Sequence, residues 1–145
     1  MASVDITAAL TTYLKTVSAI TSLIGSGTAA RAYPDDLKQG CDLPACTLTR
    51  VGGGPVMYLL GRSGLNEATF VATSYGATRA AADALDNAIF DALGGGANQT
   101  MGSVKVTDTT PTEGSRDSGV DLPQDGSDAR RYWARTGYRL FYFDS

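Results

Sequence analysis

The fold turns on how one stretch is read: "GGGPVMYLLGRSGLN", residues 52 to 66. Three glycines and Pro55 open it, and Gly61, Gly64 and Asn66 punctuate its close. Such residues mark turns, because they accept backbone conformations, or withhold the N–H, that a regular strand needs. Between them stand Val56, Met57, Tyr58, Leu59 and Leu60, five apolar residues without a charge. Turn chemistry places the segment at the surface, and its hydrophobicity requires that something cover it.

Working outward, the segments on either side read as strands. "ACTLTRV" at 45–51 alternates, with Cys46 and Leu48 on one side and Thr47 and Thr49 on the other. "ATFVATSY" at 68–75 is rich in Thr, Val and aromatics, which suit a pleated, half-buried surface. The pair forms a hairpin with 52–66 as its long tip. Two arrangements cover the apolar tip. It packs on an adjacent subunit or another protein, or the strands run further and it folds back over its own sheet. In the first case Val56 to Leu60, with Arg62, form a contact surface, since exposed apolar patches mark interaction sites.

Before the hairpin, Ile6, Leu10, Tyr13, Leu14, Val17, Ile20 and Ile24 recur at helical spacing, predicting one amphipathic helix over 5–24. Asp5 or Ser3 caps it and "GSG" at 25–27 ends it. The connection that follows holds Pro34 and Pro44 and has room for a short extended piece at 31–33. After the hairpin, Thr78 reads as the N-cap of "RAAADALDNAIFDAL", stopped by three glycines at 94–96. "SVKVTDT" at 103–109 reads as a strand. So does "RRYWARTGYRLFYF" at 130–143, which sets Tyr132, Ala134, Thr136, Tyr138, Leu140 and Tyr142 on one face. The expected architecture is a single α+β domain over 1–145. An antiparallel sheet of about four strands carries two helices on one face, in the order helix, strand, strand, helix, strand, strand.

Composition narrows the function. At 145 residues and 43% hydrophobic content the chain can bury a core without metals or disulfides. No apolar run approaches a membrane span, and the start lacks the basic head of a secretory signal, so the expectation is a soluble protein made in the cytoplasm. There is no histidine, which removes the commonest general base and most zinc sites. Cys41 and Cys46 would face opposite sides of an extended chain; a bridge across the turn at 42–44 would be strained, and two thiols in a reducing compartment are the simpler reading. The carboxylates of "YPDD" and of the second helix (Asp83, Asp86, Asp91) read as solvated groups. Nothing points to a catalytic residue, a cofactor or a metal site.

Charge is uneven. From 108 to 128 six acids (Asp108, Glu113, Asp117, Asp121, Asp125, Asp128) oppose Arg116 alone, a local balance of −5 against −3 for the whole chain. Such a stretch reads as an acidic, solvated mobile loop. Arg130, Arg131, Arg135 and Arg139 interleave with Tyr132, Trp133 and Tyr138, the composition of an RNA-stacking surface. The acidic loop and a pI of about 4.7 argue against that use.

One resemblance adds to this reading. "RAYPDDLKQGCDLPACTLTRVGGG", a glycine-broken tip, and then "ATFVATSYGATRAAADALDNAIFDAL" resemble the tail-terminator family of long-tailed bacteriophages, also described as tail-completion or head-to-tail joining proteins. The features fall on Tyr33, Pro34, Gln39, Leu43, Pro44, Arg50, Tyr75, the helix at 79–93 and the final "GYRLFYF"; Ala45 and Cys46 depart from the aromatic or branched residues of relatives. The resemblance implies a structural virion protein, a homo-oligomer in a hexameric ring at the head-proximal end of the tail. Its partners would be the tail tube protein and the head connector protein, with DNA passing through unbound and no membrane involved. Asp117, Asp121 and Asp125 would then line the channel and repel phosphates. The rival within phage assembly is a head-completion protein on the portal side. Outside it stand a small enzyme using Cys46 or Ser63, and a monomeric adaptor.

Overall fold

The computed structural model describes residues 5–25, 27, 30–35, 42–58, 61–93, 97–101, 104–112, 116–121 and 130–143; the side chains of 55–58, 61–64 and 97–99 are not among them. Two short helices come first, α1 (Ile6–Leu14) and α2 (Ser18–Ile24), where the periodicity predicts one. The buried residues Ile6, Leu10, Leu14, Ile20 and Ile24 would share one face of a straight helix, so the periodicity carries no sign of the break. The chain turns at Lys15 and Thr16, and extended Val17 starts the second helix. Asp5 caps α1 by accepting from the Ala8 N–H at 3.1 Å.

The hairpin differs most from expectation. Strand β2 runs Ala45–Tyr58 and β3 runs Gly61–Gly76, so most of 52–66 is strand rather than tip. The glycines serve the ladder instead of ending it. Register shifts at Arg50/Gly52 and Pro55/Met57 mark bulges, and Gly53 sits at φ 114° with the Glu67 carbonyl where a Cβ would be. A side chain there would meet backbone, which explains a glycine inside a strand.

Strand β1 (Ala32–Pro34) pairs parallel with β2, and Asp35, at φ 65°, then turns the chain away. Helix α3 (Arg79–Leu93) begins with Thr78 accepting from the Ala81 N–H at 3.1 Å. Strands β4 (Ala97–Met101), β5 (Val104–Pro111), β6 (Asp117–Asp121) and β7 (Arg131–Phe143) follow. The order across the sheet is β1-β2-β3-β7-β5-β4, with β6 also on β7.

The architecture is therefore mostly β: a curled, mixed sheet of seven strands with three helices among the described residues. It is not the four-stranded antiparallel sheet with two helices that patterning predicts. Three of the added strands are short edge strands without alternation, and the parallel β1 makes the sheet mixed. The acidic stretch 108–128 is likewise not simply a loop, since it includes the end of β5 and all of β6.

The core lies on one face of the sheet. Phe70, Ala72, Tyr138, Leu140 and Tyr142 meet Leu10 and Leu14 of the first helix and Leu85, Ile89 and Leu93 of α3. The curl is tight enough that α1 touches β1 and β2 at one end of the sheet and β4 at the other. No helix is long and apolar enough to cross a membrane, among the described residues.

Candidate assembly surfaces

Three features stand out from the core. The first is the hairpin arm. β1 pairs with β2 only through Leu48, and β7 reaches β3 only as far as Leu65. Beyond these rungs, among the described residues, the arm's two strands pair with each other, at Met57↔Arg62 and Tyr58↔Gly61, and project ~10 Å past the sheet. Val56, Met57, Tyr58 and Arg62 lie in its distal strands, while Leu59 and Leu60 fall outside the described residues. At its base Val51 is 58% exposed. An isolated two-stranded ribbon is marginally stable in water, so this arm gains from contact with another surface.

The second is the helix-free face of the sheet. Thr69, Val71, Thr73 and Tyr75 of β3 lie beside Arg139, Gly137, Arg135 and Trp133 of β7. Here three of the four arginines that suggested nucleic acid, Arg131, Arg135 and Arg139, are paired with carboxylates within the chain. Arg139 donates to Glu67 at 2.9 Å, Arg135 to Asp117 at 3.2 Å and Arg131 to Asp121 at 3.2 Å. Arg131 also stacks on Tyr75 and Arg135 on Trp133. Guanidinium groups already facing carboxylates have little left for phosphates. The same pairs involve two of the residues expected to line a DNA channel. Asp117 and Asp121 are ion-paired strand residues, and Asp125 lies outside the described residues.

The third was missed in the sequence. Asp86, taken there for a solvated helix acid, is only 5% exposed. Its carboxylate accepts from the Thr136 hydroxyl at 3.0 Å and from the Arg116 guanidinium at 2.7 Å. Arg116 also donates to Asn87 at 3.0 Å and lies over the Phe90 ring, 4.4 Å from its centre. Hydrogen bonding to Asp86 holds the Arg116 proton more tightly than usual. Burial, reinforced by the Asp86 charge, pushes the Tyr138 hydroxyl well above its ordinary pKa. An open cleft of about 390 Å³ lies between α3 and β6, lined by Asp83, Asp86, Asn87, Arg116, Asp117 and Ala134. The signal in the sequence was Arg116, the only base in an acidic stretch.

No group of three or more His, Cys, Asp or Glu is placed to hold a metal, among the described residues. Cys46 is a free, buried thiol whose pKa is pushed up to about 12 by burial, and Cys41 lies outside the described residues. Because the folded state holds this proton above the ordinary value of 9.0, Cys46 favours folding below pH 9 and loses that contribution as pH rises toward 12. At pH 8 a thiol reagent is expected to spare Cys46 in the native protein and modify it in denaturant, as peptide mapping would show. Native labelling of Cys46 would contradict its burial.

The overall fold described above is shared with a solved structure. No family model matches the chain, and no curated protein matches it. Among solved structures, a chain from the virion of the native gene transfer agent particle superposes with a TM-score of 0.62 over 95% of this chain and 94% of its own length, at 16% identity. The two share their fold from end to end.

Proposed function

We propose that this protein is a structural subunit of a phage-type virion. It assembles as a ring at the head-proximal end of the tail tube, ends tube growth, and joins tail to head while DNA passes through. It does no chemistry. The observation that carries this reading is the fold held in common, over nearly the whole of both chains, with a component of a virion particle. The arm supports it, because an apolar hairpin held only by itself suits a subunit completed by assembly. Termination then rests on complementarity, with one ring face matching the last tube ring and the other recruiting no further tube subunit.

Electron microscopy of particles made without the gene tests this. The expected result is overlong, headless tubes, with normal length restored when the protein is supplied. Normal tails beside leaking heads would move the subunit to the portal side of the joint. Normal virions would refute a structural role.

A further inference from the structure

Strand β6 is attached in an unusual way. Its five residues pair with Arg131–Arg135 of β7, and all but Gly119 are exposed. Val120, its one apolar side chain, is 43% exposed and lies outside the hydrophobic core. Gly119 lies beneath the Trp133 ring, which occupies the space a Cβ would need. The ion pairs at its two ends, Asp117–Arg135 and Asp121–Arg131, join side chains that are all about half exposed. Pairs of that kind contribute little and are screened by salt.

The firm attachment is next to the strand rather than in it. The rungs Pro111↔Tyr138 and Asp117↔Arg135 lie six positions apart on one side and three on β7, so the register carries an insertion just before β6. At this insertion Arg116 reaches α3 and engages Asp86, Asn87 and Phe90. One guanidinium on a buried carboxylate thus does for β6 what apolar side chains do for the other strands.

We propose that β6 is a releasable strap latched by Arg116, and that the edge of β7 beneath it, residues 131–135, accepts the 116–121 segment of a second copy in its place. A second copy is the fitting occupant because its segment reproduces every contact: Arg116 on Asp86, the two end ion pairs, and a glycine under Trp133. Exchange breaks and remakes the same bonds, so it needs no further complementarity. The inference does not depend on the virion reading.

Hydrogen exchange and the emission of Trp133, the only tryptophan, test the strap. In the intact protein, protection of residues 117–121 is expected to fall on going from low salt to 1 M NaCl, while that of residues 68–75 in β3 does not. In Arg116→Ala the loss at 117–121 should reach ~10- to 100-fold, the range for a hydrogen bond to a charged group, with a red shift of Trp133 emission. A labelled peptide of residues 116–121 should bind Arg116→Ala at least tenfold more tightly than the intact protein, because it supplies the missing guanidinium in trans. Protection of 117–121 that equals β3 at both salt concentrations would overturn the strap. Equal peptide affinity for both proteins would overturn the acceptor edge. Should Arg116→Ala lose protection throughout, the salt series on the intact protein and a peptide competition against it decide the matter.

Discussion

Under the virion role proposed above, replacing residues 56–65 with an Asn-Gly turn, so that Pro55 and Asn66 become the last rung of the hairpin, is expected to abolish particle assembly and leave the protein folded. Pro55 and Asn66 already pair, and Asn-Gly supplies the positive φ angles of a two-residue hairpin turn. Among the described residues of the deleted span, Leu65 is the one that pairs with the body of the sheet, at Phe143. Stability should therefore change by no more than about 1 kcal/mol. The cost to assembly is far larger. Burying five residues of the size of Val56 to Leu60 is worth roughly 7–15 kcal/mol before any offset. Association costs about 4–15 kcal/mol in lost freedom and ordering. The measurement pairs a denaturation midpoint with a particle titre. A shortened protein that melts normally and still yields infectious particles would show that the arm does not carry the contact.

The second large effect concerns Phe70, which is 1% exposed and stands opposite Arg50 on one side and Tyr138 on the other. It lies midway along the hairpin's paired region and beneath the helices. Phe70→Ala should destabilise the protein by about 3–5 kcal/mol, combining lost transfer energy with the cavity left behind. For a domain whose whole stability is about 5–15 kcal/mol, that is enough to raise the unfolded fraction sharply at 37 °C. Urea titration with constant slope and a lowered midpoint would verify it. A loss below 1 kcal/mol would mean that the sheet can close over the gap.

Where patterning was strong, the sequence was legible. Alternation sets Ala134, Thr136, Tyr138, Leu140 and Tyr142 on one face of β7, and all five are buried together. Thr78 caps α3 and Asp5 caps α1, because a polar residue before a helical run has few other uses. The failures have physical causes too. Gly52, Gly53 and Gly54 break a propensity count, yet they lie within a bulged strand, where Gly53 is what lets two backbones approach. Strands β1, β4 and β6 have three to five residues and no alternation, and only their partners hold them extended. Burial of Asp86 was hidden because its partner lies thirty positions away, and no window along the chain contains both Arg116 and the helix.

The place of β7 in the sheet bears on how the molecule is made. It is the last strand in the chain, and it lies between β3 on one side and β5 and β6 on the other. A ribosome delivers the chain from its amino end, at ~5–20 residues per second. The helices and the long hairpin therefore emerge seconds before the strand that joins them to the far half of the sheet. Until then β3 has one unpaired edge, and β5 and β6 lack their shared partner. Premature release of the nascent chain thus yields an open sheet rather than a smaller domain. Native structure is reserved for chains translated past Phe143.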